Sequence, residues 1–171
     1  MKKLLWILLL FSILLPSCGK NPIQAEKLLR CVLEDNPHFP SAKVIYHSDA
    51  LPGEQAYMTP RLRSLLYDEG RGRQIPEFDG VEEYAVCLSD GTHGMEIHIF
   101  YMESPSDARN MQKLLLRRVQ LMKRRSLYLY APEAYERYFS SASVYRKGRF
   151  VMLLATGENE RVWDRIKTYL G

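Results

Sequence analysis

The stretch VEEYAVCLSDGTHGMEIHIFYM, residues 81–102, decides the fold. Apolar and polar residues alternate through EEYAVCLS, a glycine-rich turn interrupts, and alternation resumes through MEIHIFYM. Period-two patterning on both sides of a turn predicts an antiparallel hairpin. Pairing Ser89 with Gly94 around a four-residue loop sets Leu88 opposite Met95, Val86 opposite Ile97 and Tyr84 opposite Ile99. Those pairs would share the core face, leaving Glu83, Ala85 and Cys87 across from Phe100, His98 and Glu96 on a solvated face.

Working outward, Ser104-Pro105-Ser106-Asp107 has the form of a helix start: a capping serine, proline at the first position and an acid in the first turn. The helix is predicted to run to about Arg125, with Ala108, Met111, Leu115, Val119 and Met122 along one stripe. A shorter helical stretch follows around residues 133–139. A second hairpin, SASVYRKGRFVMLLAT, is predicted to turn at Lys147-Gly148. FVMLLA is apolar on both faces, as an interior strand would be, and Val162, Trp163, Ile166, Tyr169 and Leu170 give a last helix its apolar side. The carboxyl-terminal half therefore has β-β-α-β-β-α order. The predicted class is α+β: an antiparallel sheet with helices packed on one face, preceded by an N-terminal helical segment.

Upstream, residues 23–34 carry Leu28, Leu29, Val32 and Leu33 at helical spacing, and the two prolines of NPHFPS end that pattern. AKVIYH suggests a short strand. Thr59-Pro60 opens a helix through Leu66, and DEGRGRQIPEFDG has the composition of a loop.

The chain begins with Lys2 and Lys3, an apolar run from Leu4 to Leu15, and then Pro16-Ser17-Cys18-Gly19. About a dozen apolar residues are too few for a span, which needs roughly 20. They suit a secretory signal peptide. Leu15-Pro16-Ser17-Cys18 resembles the lipobox of bacterial lipoproteins, in which the cysteine receives diacylglyceryl and acyl chains such as palmitate and becomes the mature N-terminus. Two or more chains anchor stably where one does not. The expected organisation is a signal peptide at 1–17, a tether at 18–22 and a single domain at 23–171. The expected location is the extracytoplasmic face of a cell membrane, lipid-anchored through Cys18.

Apolar residues make up 46% and charged residues 26% of the chain, which excludes bulk disorder. Loss of Lys2 and Lys3 lowers the net charge from +4 to about +2, and the predicted location also argues against nucleic acid as a partner. Cys31 and Cys87 could form one disulfide, but both sit in apolar settings where free cysteine behaves as a small hydrophobe.

No H-E-x-x-H, G-x-S-x-G, Walker-type or C-x-x-C motif is present, so no catalytic residue, cofactor or metal site is assigned. Asp90-Gly91-Thr92-His93-Gly94 joins strands rather than leading into a helix, so it is read as a turn and not a phosphate loop. Glu96 and His98 share a strand face and form the one plausible acid–base pair. Arg117, Arg118, Arg124 and Arg125 crowd the long helix, with Tyr128 and Tyr130 just beyond. They form a candidate contact surface for anionic lipid, a wall polymer or a cell-envelope protein.

From VEEYAVCLSDGTHGMEIHIFYMESPSDARNMQKLL through VYRKGRFVMLLATGENERVWDRIKTYL, the chain resembles a family of Gram-positive lipoproteins known only as a domain of unknown function. The likeness covers roughly residues 24–171 and rests on element order and the lipobox. RGRQIPEFDG and the arginine-rich helix depart from that family's style. The resemblance implies a lipid-anchored α+β domain and carries over no catalytic residue. The function expected is a binding or scaffolding protein. The alternatives are an extracytoplasmic hydrolase built on residues such as Glu96 and His98, and polyanion binding through the basic helix.

The lipobox carries its own test. Cys18→Ala should abolish incorporation of labelled palmitate and leave the precursor unprocessed on a gel. An unchanged, membrane-bound mature species would contradict it.

Overall fold

A computed structural model describes residues 23–68, 78–89, 94–124, 129 and 131–171. The lipobox, Cys18, His93, Arg125, Tyr128 and Tyr130 lie outside the described residues. The longer helices among the described residues are α1 (Ala25–Glu34), α2 (Pro60–Tyr67), α3 (Pro105–Met122) and α4 (Asn159–Leu170). Five strands are β1 (Ala42–His47), β2 (Val81–Ser89), β3 (Glu96–Met102), β4 (Ser143–Lys147) and β5 (Phe150–Ala155). A helical turn at Pro132–Ala134 continues as a π-helix over Tyr135–Phe139. The α+β class and the β-β-α-β-β-α order of the carboxyl-terminal half are as the patterning predicted.

Local signals place the helix ends. The Thr59 hydroxyl accepts from the Leu62 amide at 3.2 Å, with Pro60 at the first position. Ser104 does the same for Asp107 at 3.1 Å, with Pro105 behind it. Such caps satisfy amides that have no partner within the helix. Ala108, Met111, Leu115, Val119 and Met122 are all buried, the stripe the sequence predicted.

The strands form one antiparallel sheet in the order β1-β2-β3-β5-β4. Its register departs from expectation by one residue. Leu88 pairs with Glu96, Val86 with His98 and Tyr84 with Phe100, while Cys87 faces Ile97 and Ala85 faces Ile99. The closing contacts explain the shift. The Ser89 amide donates to the Met95 carbonyl at 3.0 Å and the Met95 amide to the Ser89 hydroxyl at 2.9 Å, so the loop takes five residues. Gly94, at φ +71°, absorbs the extra residue. In the second hairpin Lys147 pairs with Phe150, so the turn is Gly148-Arg149 rather than Lys147-Gly148.

One residue of slip moves every side chain to the other face. Glu96, His98 and Phe100 therefore share a face with Val86 and Tyr84, and Cys87 and Glu83 point away from them. Helices also cover both faces, not one. On the first face, α3 reaches Glu96 through Arg118, and α2 reaches His98 through Tyr67. On the second face, the α1 amide of Ala25 donates to Glu83 at 2.9 Å and Trp163 of α4 stacks on Tyr145 at 5.1 Å. The reason is β3 and β5, in which every residue is buried. A sheet apolar on both sides has to be covered on both sides. Of the residues expected on a solvated face, Ala85, Cys87, Glu96, His98 and Phe100 are buried and Glu83 is half-buried.

Two clasps tie the second layer together. Asp35, just past α1, accepts from Arg165 and from the Tyr169 hydroxyl of α4, each at 2.6 Å, and Asn36 accepts from Arg161 at 2.6 Å. Cys31 and Cys87 are free thiols, and burial pushes the Cys87 thiol up to about 12. A thiol so raised is not poised to react.

Gly94 and Gly148 make a matched test of the register. A Cβ on Gly94 would come within 2.7 Å of Phe139, whereas one on Gly148, at φ +58°, meets open space. Gly94→Ala should cost about 2–3 kcal/mol in denaturant unfolding against about 1 for Gly148→Ala, because only the first adds a clash to the backbone penalty.

Candidate functional site

The pair singled out in the sequence is brought together, but as part of a buried chain of four side chains. The Tyr67 hydroxyl lies 2.7 Å from His98 Nδ1, and His98 Nε2 lies 3.0 Å from Glu96 Oε2. Arg118 donates through Nε to Glu96 Oε2 at 3.1 Å, and its Nη2 closes on Oε1. Each member comes from a different turn or strand position. Glu96 and His98 alternate along β3, Tyr67 ends α2, and Arg118 sits one residue before Val119 on the edge of the α3 stripe.

The electrostatics follow from burial and pairing. Burial alone would raise the Glu96 carboxyl, but the Arg118 charge and the bonds from His98 and Arg118 outweigh it and hold it at about 2. Desolvation lowers His98, despite the opposing pull of Glu96, and so favours neutral imidazole. Desolvation, with the Glu96 charge adding to it, raises Tyr67. One proton arrangement satisfies every group. His98 Nε2–H donates to the carboxylate, Nδ1 accepts from the Tyr67 hydroxyl, and Arg118 neutralises Glu96.

The order tyrosine–histidine–carboxylate has the connectivity of a proton relay. Its setting is that of a core strut. His98 has no exposed surface, and Tyr67 and Glu96 are 4% and 6% exposed. Tyr67 also packs edge-on against Phe78 and Phe100, which encloses the hydroxyl end of the chain. Three cavities among the described residues are lined by other residues. What this network does is fasten α2 and α3 to the central strand through a fully bonded polar core.

The basic candidates separate. Arg118 is spent on Glu96, whereas Arg117 is exposed on the outer face of α3 and Arg124 is exposed just past its end. Of the tyrosines beyond, Tyr138 is buried in the core and Tyr135 donates to the Lys123 carbonyl at 3.2 Å. Sequence reasoning missed Tyr67, and no local signal marks it. It also grouped Glu83 with the histidine, where the carboxylate instead caps the positive end of α1.

No protein-family model, no curated protein and no solved structure matches this chain. No helix among the described residues is long and apolar enough to cross a membrane.

Acid should weaken the polar core. Glu96 titrates below its unfolded value of 4.5, so its contribution is complete above that pH and drains away as the pH falls toward about 2. The linkage is worth roughly 3 kcal/mol at neutral pH. His98 also titrates below its ordinary 6.5, so its share begins to fall once the pH drops under that value. Urea unfolding from pH 8 to pH 3 should show this decline. Glu96→Gln should flatten the lower part of the profile and cost about 3–5 kcal/mol at pH 7, because Arg118 is left buried without its partner.

Proposed function

We propose that this chain is a lipid-anchored, extracytoplasmic binding protein that holds an anionic envelope polymer against the outer face of α3. The observation that carries the reading is a contrast between two helices. On α4, Arg161 pairs with Glu158, Arg165 with Asp35 and Lys167 with Asp164. On α3 and at its end, Arg109, Lys113, Arg117 and Lys123 are exposed, and none forms an ion pair among the described residues. Asp107 is the helix's lone acid. A protein whose net charge is only +4, two of them from Lys2 and Lys3, has gathered unpaired positive charge on one helix, where it would draw a polyanion.

Geometry supports a polymer over the lipid surface. Ile23, the first described residue after the tether, lines a cavity with Tyr101, Arg149 and Phe150. Arg149 donates to the Glu103 carbonyl, next to the Ser104 cap, so α3 begins at the tether end. Its far end meets Tyr135, beside the segment that packs on Gly94 at the opposite turn. Eighteen helical residues rise about 27 Å, while five tether residues reach about 17 Å at most. With Cys18 in the bilayer, Arg117 and Lys123 would stand away from the headgroups and toward the wall. A hydrolytic role for Glu96 and His98 draws no support from side chains sealed beneath α2 and α3.

Retention of the protein on teichoic-acid-like polyphosphate beads should be strong in low salt and fall steeply as the salt rises toward 0.5 M, since exposed contacts are screened. The triple variant Lys113→Glu, Arg117→Glu, Lys123→Glu should lose retention at least tenfold while unfolding at the same denaturant concentration. Salt-insensitive retention, or an unaffected triple variant, would remove this reading.

A further inference from the structure

A second binding feature lies apart from the basic helix, on the edge of the sheet beside β1. A cavity of about 240 Å³ opens there between the loop that follows β1, helix α2 and the start of β2. Tyr57, Phe78 and Tyr84 supply aromatic wall, Met58 an apolar floor, and Ser48 part of the rim. Phe78 and Tyr84 stand edge to face, with centroids 5.3 Å apart, so the wall is firmly set.

Among the described residues, one charged group lines this space. The Arg63 guanidinium sits 5.4 Å from the centre of the Phe78 ring. Its Nε–H is buried and has no hydrogen-bond acceptor among the described residues. Buried donors almost always find an acceptor, because leaving one unmade costs about 1–3 kcal/mol. No acid among the described residues lines the cavity to supply it. An arginine fork is shaped for a carboxylate, and a charge-assisted bond to one is stronger than a neutral bond.

Size and lining narrow the class. A dry apolar cavity of about 150 Å³ holds a benzene ring, so this one has room for a ring and a short acidic arm. We infer that the cavity beside Arg63 binds a small aryl or alkyl carboxylate. The ring lies against Phe78 and Tyr84, and the carboxylate accepts from the Arg63 Nε–H. The site is independent of lipidation and of the polymer contact on α3.

The test uses two probes of equal shape, 3-phenylpropionate and 3-phenylpropionamide, titrated against the full-length protein in detergent by ligand-observed NMR at pH 7.5. The acid should bind saturably, and the amide at least tenfold more weakly. Arg63→Gln should bring the acid to the amide's level, and Arg63→Lys should keep part of the preference. Ser48→Phe, which fills the rim without touching the charge, should abolish binding of both probes, so the test survives if Arg63→Gln fails to fold. The inference is overturned by failure of the acid to bind saturably, by equal binding of acid and amide, or by a preference that persists in Arg63→Gln.

Discussion

The structure depends on one constraint: β3 is buried on both faces along its whole length. An interior strand of seven residues cannot be half wet, and yet this one carries a glutamate and a histidine. The fold meets that demand by bringing a cation from α3 and a phenol from α2 to the same face. Glu96 thus ceases to be a liability and becomes a fastening point, since a carboxylate in the interior is stable only when its charge and its lone pairs are matched. The position of α3 follows from Arg118, that of α2 from Tyr67, and the aromatic packing around Phe100 fills the space they leave.

What the sequence revealed and what it concealed divide along physical lines. Helix starts at Thr59 and Ser104 and the apolar stripe from Ala108 to Met122 were legible, because caps and stripes are set by neighbours three or four residues away. The hairpin register was not legible. Val86 pairs equally well in pattern with Ile97 or with His98 when both faces are interior, and alternation then loses its meaning. Glu96 and His98 looked like surface residues because nothing nearby in sequence announces a burial that Arg118, twenty-two residues on, makes possible. One clue was present. Arg118 borders Val119 and follows Leu115 by three, which sets it at the margin of the buried stripe, whereas Arg117 faces outward.

The two candidate regions differ in kind. The Tyr67–His98–Glu96–Arg118 chain has the donors and acceptors of a catalytic relay, but its histidine has no exposed surface, and its bonds hold layers together. The outer face of α3 has no such connectivity, and its basic side chains are exposed with no carboxylate partner among the described residues. Polar groups that satisfy one another support structure; those left over are what a partner can use.

The clasp between the ends of the chain bears on the order in which the molecule assembles. Asn36 and Asp35 meet Arg161, Arg165 and Tyr169 across 125 to 134 residues of sequence. Contacts of that separation close late, since the intervening chain has to be ordered first. The first of the described helices is therefore the one whose seat is completed last. Until Asn159–Leu170 has formed, Leu28, Leu29 and Val32 have only part of their cover, and α1 waits on the surface of a nearly finished sheet.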